Sequence, residues 1–295
     1  MQKISKDNII YAMCASNAPV MRVQPMSQVC FEVVDAFGGQ ITSEDAKFDG
    51  LDWSRINPAT GPVYVETADV GDILSVRIDR IDVAQSGAVV CGKGMGVMGH
   101  VLEKNYIKII EIKSDIAIFS DEIHMPINKM IGVIGVAPAG DAVPCGVPCL
   151  HGGNMDCKEI REGATVLLPV NVPGALLAMG DLHAVMADGE VGISGLEVSG
   201  LVTVTIDVIK GKNWPLPMIV NDSHVMTLAS HADLDVAVEM AVENMVDYMQ
   251  SLGFDKYDAV MLCSLAGDVQ ICQVVDPKKT ARVSISHNVL QMRPL

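Results

Sequence analysis

Positive charge is scarce in this chain. Its 295 residues carry 21 lysines and arginines against 36 aspartates and glutamates, for a formal net charge of −15 and a pI near 4.7. Such a surface repels phosphate backbones, so nucleic acid is not an expected partner. Charge of either sign makes up only 19% of the residues, while 49% are hydrophobic, the reverse of what a disordered chain needs. Long apolar runs are missing as well. The best candidate, 130–143, is broken by glycines, a proline and an aspartate, short of the ~18 residues of a membrane span. Met1-Gln2-Lys3-Ile4-Ser5-Lys6 is too polar for a signal peptide. The eight cysteines show no disulfide-scaffold rhythm, and a 31.5 kDa chain has room for a core that needs none. Free thiols, a cytoplasmic location and no membrane partner are the expectation. Low-complexity tracts and internal repeats are also lacking.

What the chain does have is strand grammar. Val20–Val23, Gln28–Val34 and Ile73–Val83 alternate or run apolar with β-branched residues. The last is the clearest, with Ile73, Val76, Ile78, Ile81 and Val83 interleaved with Ser75, Arg77 and Asp79. Turn clusters such as Phe37-Gly38-Gly39 and Asn57-Pro58-Ala59-Thr60-Gly61-Pro62 follow at short spacing. Tyr106–Ile118, Ile131–Val136, Ala164–Val170 and Gly200–Ile209 continue the style. The spacing predicts a mainly β sandwich or barrel-like body over 1–200 that carries the polar motifs. An α+β portion is expected over 201–295. In it, Ser230-His231-Ala232-Asp233 reads as a capping box. Leu234, Val238, Ala241, Met245, Tyr248 and Leu252 then follow at helical spacing, and Gly253 suits a left-handed stop. Tyr257–Cys263 reads as a buried strand, with two more over Val269–Val275 and Thr280–Ile285.

Two polar clusters interrupt the apolar pattern. Gly180-Asp181-Leu182-His183 is followed after a short run by Ala187-Asp188-Gly189-Glu190, which sets acids on both sides of a histidine. An imidazole flanked by acids can bind a metal, orient a water or move a proton. Upstream lies His151-Gly152-Gly153-Asn154-Met155-Asp156-Cys157-Lys158, and the segment between, Ala164–Met179, reads as strand. A site built at strand ends is the expectation.

The run from His151 to Glu197 resembles the acetamidase/formamidase family. Its elements stand here as Gly152-Gly153-Asn154-Met155-Asp156, Leu168-Pro169-Val170, Pro173-Gly174-Ala175, Gly180-Asp181-Leu182-His183 and Ala187-Asp188-Gly189-Glu190. Asn57–Val65 and Gln273–Pro277 look like further landmarks in the right order, so the resemblance spans most of the chain. Ala187 departs from a glycine common at that place, and Met186 from a glutamine. The resemblance implies a cytoplasmic hydrolase that cleaves short aliphatic amides such as formamide or acetamide to carboxylate and ammonia. It also implies a mostly β fold and homodimers or larger assemblies.

Hydrolysis of a resonance-stabilised amide needs a strong nucleophile, a stabilised oxyanion and an acid for the leaving amine. A divalent metal, zinc or alternatively calcium, can supply the first two. Asp156, Asp181 and His183 are the candidate ligands, and Asp181 alternatively orients His183 from behind. Glu190 is the candidate general base, with His183 also able to move protons. Asn154, after the Gly152-Gly153 pair, is the candidate donor to a developing oxyanion. Each residue has a structural alternative: Asp188-Gly189 as a bare hairpin turn tipped by Glu190, His183 as a hydrogen-bonded core histidine, and Asn154 as a turn cap.

Two other groupings hint at chemistry. Cys157 and Lys158 suggest a nucleophilic cysteine, but adjacent residues on a strand point to opposite faces. Cys145, Cys149 and His151 suggest zinc, without the second cysteine pair of a structural site. At the level of function, the rivals are a metal-independent amidase with a side-chain nucleophile and a non-catalytic binder of small amides.

Overall fold

The computed structural model describes residues 2–291, and alternation of the kind seen in Ile73–Val83 builds most of it. Leu74, Val76 and Ile78 of that strand are buried while Arg77 is exposed between them, as a period of two requires on a half-buried sheet. The strand pairs antiparallel with Thr165–Pro169 on one side and Gly200–Ile209 on the other. These lie within a nine-stranded sheet that begins with Gln2–Ile4 and Ser27–Val33 and ends with His224–His231, Lys279–Ser286 and Asp268–Gln273. Residue 200 opens a strand held between Ser27–Val33 and Ile73–Val83, so both halves of the chain contribute to this sheet.

A second sheet of eleven strands contains Ser86–Cys91, Glu197–Val198, Ala175–His183, Met130–Gly135 and Gly152–Asn154 in neighbouring positions, with Ala59–Val65 also paired to Ala175–His183. The main core lies between the sheets, with Phe31, Val76 and Leu168 of the first among Val63, Ile131 and Leu177 of the second. Each such side chain stabilises the fold by roughly 1.5–3 kcal/mol on burial. The other face of the first sheet is covered by helix α1, Leu234–Ser251, whose Ala237, Ala241, Met245 and Met249 pack with Val225, Ala229 and Val283. The protein is thus a mainly β sandwich with one long helix near its C-terminal end, as its strand and turn pattern predicts.

Three local expectations need correction. Tyr257–Cys263 is not a buried strand but part of helix α2, Lys256–Ala266. Asp255 caps it by accepting from Tyr257 N, and Tyr257, Val260, Met261 and Leu265 face outward. A run of apolar residues without strict alternation was compatible with either element, and the aspartate cap was the deciding signal. The N-cap of α1 is Asp233, not Ser230, because the preceding strand continues to His231 and Ser230 Oγ is engaged with Thr280 Oγ1. Ala164–Met179 is two strands, Thr165–Pro169 in one sheet and the start of Ala175–His183 in the other, split by a turn at Val172–Gly174.

Candidate active site

The strand Ala175–His183 carries Asp181 and His183, which share a face because they are two residues apart. Met130–Gly135 pairs with it and also with Gly152–Asn154, which brings the first polar cluster beside the second. On the opposite edge Glu197 pairs directly across from His183. Gly132 makes this convergence possible, since a Cβ there would collide with Asp156 Oδ1 and Asp181 Oδ2. Gly195 does the same for the imidazole, where a Cβ would lie 2.7 Å from His183 Nδ1.

His183 Nε2 is ringed by carboxylate oxygens: Glu197 Oε1 at 3.1 Å, Asp181 Oδ1 at 3.3 Å, Asp156 Oδ1 at 3.8 Å and Glu190 Oε1 at 3.9 Å. All five residues are buried. His183 Nδ1 lies 3.2 Å from Met186 Sδ. A thioether has no proton to give, so Nδ1 is the donor of that pair and Nε2 is the ring nitrogen left facing the acids. Asp276 completes the group, its Oδ2 accepting from Asn154 Nδ2 at 3.0 Å. Asp156, Asp181 and Glu190 all have backbone φ in the left-handed region, at 39°, 58° and 46°. Such conformations cost about 1–3 kcal/mol each for most side chains and concentrate at functional sites.

The electrostatics are those of negative charge confined away from water. Burial, then neighbouring acids (Asp181 for Asp156, Asp156 for Glu190), pushes both carboxyls well above their ordinary range. Glu197 and Asp276 are likewise pushed up, burial leading in both. Burial works to lower His183, but Glu197 and Asp181 outweigh it and raise the imidazole well above its usual value. All these shifts have one sign: the folded state binds more protons than the unfolded chain. Protein stripped of divalent cations should therefore lose stability as pH rises from the ordinary carboxylate range upward. Melting temperature measured in chelator between about pH 5 and 9 should fall, and a divalent cation should restore it most at the alkaline end. A flat profile would show that the cluster does not carry this charge.

Buried polar atoms normally find partners, yet Asp156 Oδ1, Asp181 Oδ1, His183 Nε2, Glu190 Oε2 and Glu197 Oε2 make no hydrogen bond. Two overlapping sets, Asp156–His183–Glu190 and Asp181–His183–Glu197, have ligand atoms close enough to hold one ion. Imidazole and carboxylate donors with their lone pairs turned inward fit a divalent cation.

The loop bearing Glu190 is not a hairpin turn. Gly189 N donates to Cys272 O and Val274 N to Gly189 O, which ties the loop to the strand Asp268–Gln273. Asp188 is gripped by both Arg282 guanidinium nitrogens at 2.8 Å and by Lys158 at 2.9 Å. Burial opposes its ionisation, but Arg282 and Lys158 hold Asp188 below the usual carboxylate range. Glu190 is then aimed by Gly195 N, which donates to Oε1 at 3.0 Å. Arg282 is fully buried, whereas the Asp188 side chain is 29% exposed and has a second cation. Asp188→Ala should cost about 3–5 kcal/mol by leaving a buried guanidinium unpaired, and Arg282→Met distinctly less. Equal losses in denaturant unfolding would contradict this asymmetry.

The structure brings together the sequence-derived candidates Asn154, Asp156, Asp181, His183 and Glu190 and adds Glu197 and Asp276. Glu197 had a visible signal, a lone acid between the apolar Leu196 and Val198. Asp276 had only its place in the Gln273–Pro277 landmark. Gln273, fully buried, holds the turn before it by accepting from the N–H groups of Val275 and Asp276. The two cysteine groupings do not form sites. Cys157 is buried while Lys158 pairs with Asp188, and neither Cys145, Cys149 nor His151 belongs to a ligand group among the described residues. Cys149 Sγ instead accepts from Lys278 Nζ at 3.2 Å. Burial and the nearby Lys278 push His151 down to about 4, so it is neutral.

No helix among the described residues is long and apolar enough to cross a membrane. The sequence profile of the acetamidase/formamidase family matches residues 16–144 and 139–292. The fold is similar to the crystal structure of a predicted acetamidase/formamidase from Thermoanaerobacter tengcongensis, with 45% identity and a TM-score of 0.96 over 98% of this chain and 97% of that one. It is also similar to an acetamidase from Bacillus halodurans, with 42% identity and a TM-score of 0.97 over 98% of each chain. A formamidase-like protein of Schizosaccharomyces pombe is 27% identical, and the match spans 62% of this chain and 59% of that protein's length.

Proposed function

The chain belongs to the acetamidase/formamidase family, and from that premise we propose that it hydrolyses short linear amides to a carboxylate and ammonia at the His183 cluster. The observation that carries this reading is the ring of carboxylate oxygens 3.1–3.9 Å from a buried imidazole nitrogen, in a cluster where Asp156 Oδ1, Asp181 Oδ1, Glu190 Oε2 and Glu197 Oε2 have no hydrogen-bond partner.

We assign His183, Asp181 and Asp156 as ligands of a divalent cation, with Glu197 joining them because it is the nearest oxygen to Nε2. Mixed imidazole and carboxylate donors favour zinc, and the oxygen-rich remainder also suits calcium. Such a cation polarises a carbonyl and acidifies water, several kcal/mol of help for an unactivated amide.

The chain's own residues do the rest. Glu190 takes the proton of the attacking water and delivers it to the departing nitrogen, a role its burial and raised proton affinity support. Asn154 has one N–H committed to Asp276, and its Oδ1 has no partner. That free acceptor suits the N–H of an amide substrate and orients it for attack. These groups are themselves buried and line one cavity, which strengthens the electrostatic interactions among them. A homodimer or larger assembly in the cytoplasm is part of the proposal, and the outward apolar side chains of α2 give it a surface.

Ammonia release from purified protein across a set of short amides, with metal content measured on the same sample, tests the reading. Activity that survives exhaustive chelation with no bound metal would transfer the chemistry to a side-chain nucleophile. No release from any short amide would leave a binding protein.

A further inference from the structure

His183 has two ring nitrogens, and only one of them faces the carboxylates. The other, Nδ1, has a single hydrogen-bond partner among the described residues, the Met186 sulfur at 3.2 Å. The two backbone carbonyls that follow His183 are engaged elsewhere: Ala184 O accepts from Asn128 N, and Val185 O from Leu196 N. The thioether is therefore what receives the Nδ1 proton. A buried N–H that loses its acceptor bears the full penalty of leaving water, so this contact helps decide how the ring is set.

A methionine side chain is unbranched and flexible, so it makes a dependable partner only where something holds it. Here one side chain grips its backbone from both sides. Asn128 Oδ1 accepts from Met186 N at 3.0 Å, and Asn128 Nδ2 donates to Met186 O at 2.8 Å. Asn128 N also donates to Ala184 O at 2.8 Å, and Met130, two residues on, pairs across from His183. The residues that lead into one strand thus fix the residues that leave its neighbour. Met186 is buried, so its sulfur has no solvent to swing into.

The nature of the acceptor matters as well as its place. An imidazole that binds a metal usually donates its other N–H to a carboxylate, a backbone carbonyl or water, which strengthens it as a ligand. Thioether sulfur is a weak acceptor and gives less of this support. We infer that Met186, held by Asn128, is the positioning residue of His183, and that its thioether keeps the affinity for a divalent cation below what the same ligands would reach behind a stronger acceptor. The inference rests on the cation site proposed above. It separates two effects of one side chain: removing the acceptor should weaken binding, and replacing it with a better one should tighten binding.

The test is the zinc dissociation constant, from competition with a chromophoric chelator, together with the rate of zinc release into excess chelator. The proteins are the wild type, Met186→Leu, Met186→Gln, Asn128→Ala and the double variant Asn128→Ala with Met186→Leu, each checked for melting without cation. Leucine keeps the volume and removes the acceptor, a swap that packed cores tolerate well. Glutamine has a similar length and offers a carbonyl oxygen. Met186→Leu should bind zinc about tenfold more weakly, and Met186→Gln about tenfold more tightly with slower release. Asn128→Ala, at an exposed position, should also weaken binding, and the double variant should match Met186→Leu alone, because Asn128 acts through the sulfur. A side chain needed only for packing would weaken both Met186 variants or spare both, and either pattern overturns the inference. Additive losses in the double variant overturn the part given to Asn128. Should the Met186 variants not fold, Asn128→Ala decides: weaker zinc binding with unchanged cation-free melting supports the inference, and wild-type binding overturns it. A wild type that takes up no zinc would refute the zinc site itself and this inference with it, an outcome distinct from normal uptake that the variants leave unchanged.

Discussion

His183→Ala should strip the protein of its divalent cation and of its turnover together. The imidazole is the only nitrogen donor in either candidate ligand set, and both sets include it. With it gone, Asp156, Asp181, Glu190 and Glu197 face one another with no group between them that can share charge. Loss of a partner that merely orients a ligand weakens metal binding ~10–100-fold, so loss of the central ligand should exceed ~100-fold. Metal analysis after dialysis at micromolar free metal should find the wild type loaded and the variant empty, with ammonia release at background. The fold should survive, because the strand that holds His183 is paired on both edges through backbone groups. A variant that keeps a full complement of metal would remove His183 from the ligand set and leave it a proton carrier or a packed core residue.

Most of the architecture was legible in the residues, and for an identifiable reason. Half-buried strands such as Ile73–Val83 must alternate, and α1 must place an apolar residue on one face at every turn, so periodicity reports both. The α2 segment was not legible because its burial is weak. Only Ala259 among its residues is fully buried, so no strong face marks a helical period. The end of the strand at Ser230 was hidden for the opposite reason, a strong local cap signal that tertiary pairing with Lys279–Ser286 overrides.

At the site, sequence found what local motifs carry and missed what pairing creates. Asp181 and His183 stand two apart on one strand, a juxtaposition fixed by the chain itself. Glu197 reaches His183 through cross-strand register, and Asp276 arrives from the C-terminal strand pair through the turn held by Gln273. Such contacts depend on which strands become neighbours, which no single segment specifies. The same limit applies to Arg282. As a lone basic residue in an apolar strand it reads as an outward charge, yet it is fully buried and grips Asp188, two residues from Glu190. Met186, a departure from the glutamine common at that place, could not be interpreted until its thioether was seen against His183 Nδ1.

Glu190→Gln separates the chemistry from the scaffold. The amide is nearly isosteric, and its carbonyl oxygen can still accept from Gly195 N, so the loop tied to Asp268–Gln273 should keep its shape. Removing one of several mutually repelling carboxylates should leave the melting temperature equal to or slightly above the wild type in the absence of cation. Metal content should be retained, because Asp181 and Glu197 lie closer to His183 Nε2 than Glu190 does. What the variant loses is a group that can accept a proton and return it. General-base catalysis is typically worth ~10²–10⁴ in rate, so kcat should fall by that factor with KM little changed. The acid limb of the kcat–pH profile should disappear with it, since the group whose protonation stops the wild type is gone. The opposite pattern, lost metal with a proportionate loss of activity, would make Glu190 a ligand. Near-normal kcat would make it a structural residue of its loop, and the proton transfer would pass to Asp181 or Glu197, the two carboxylates nearest the imidazole.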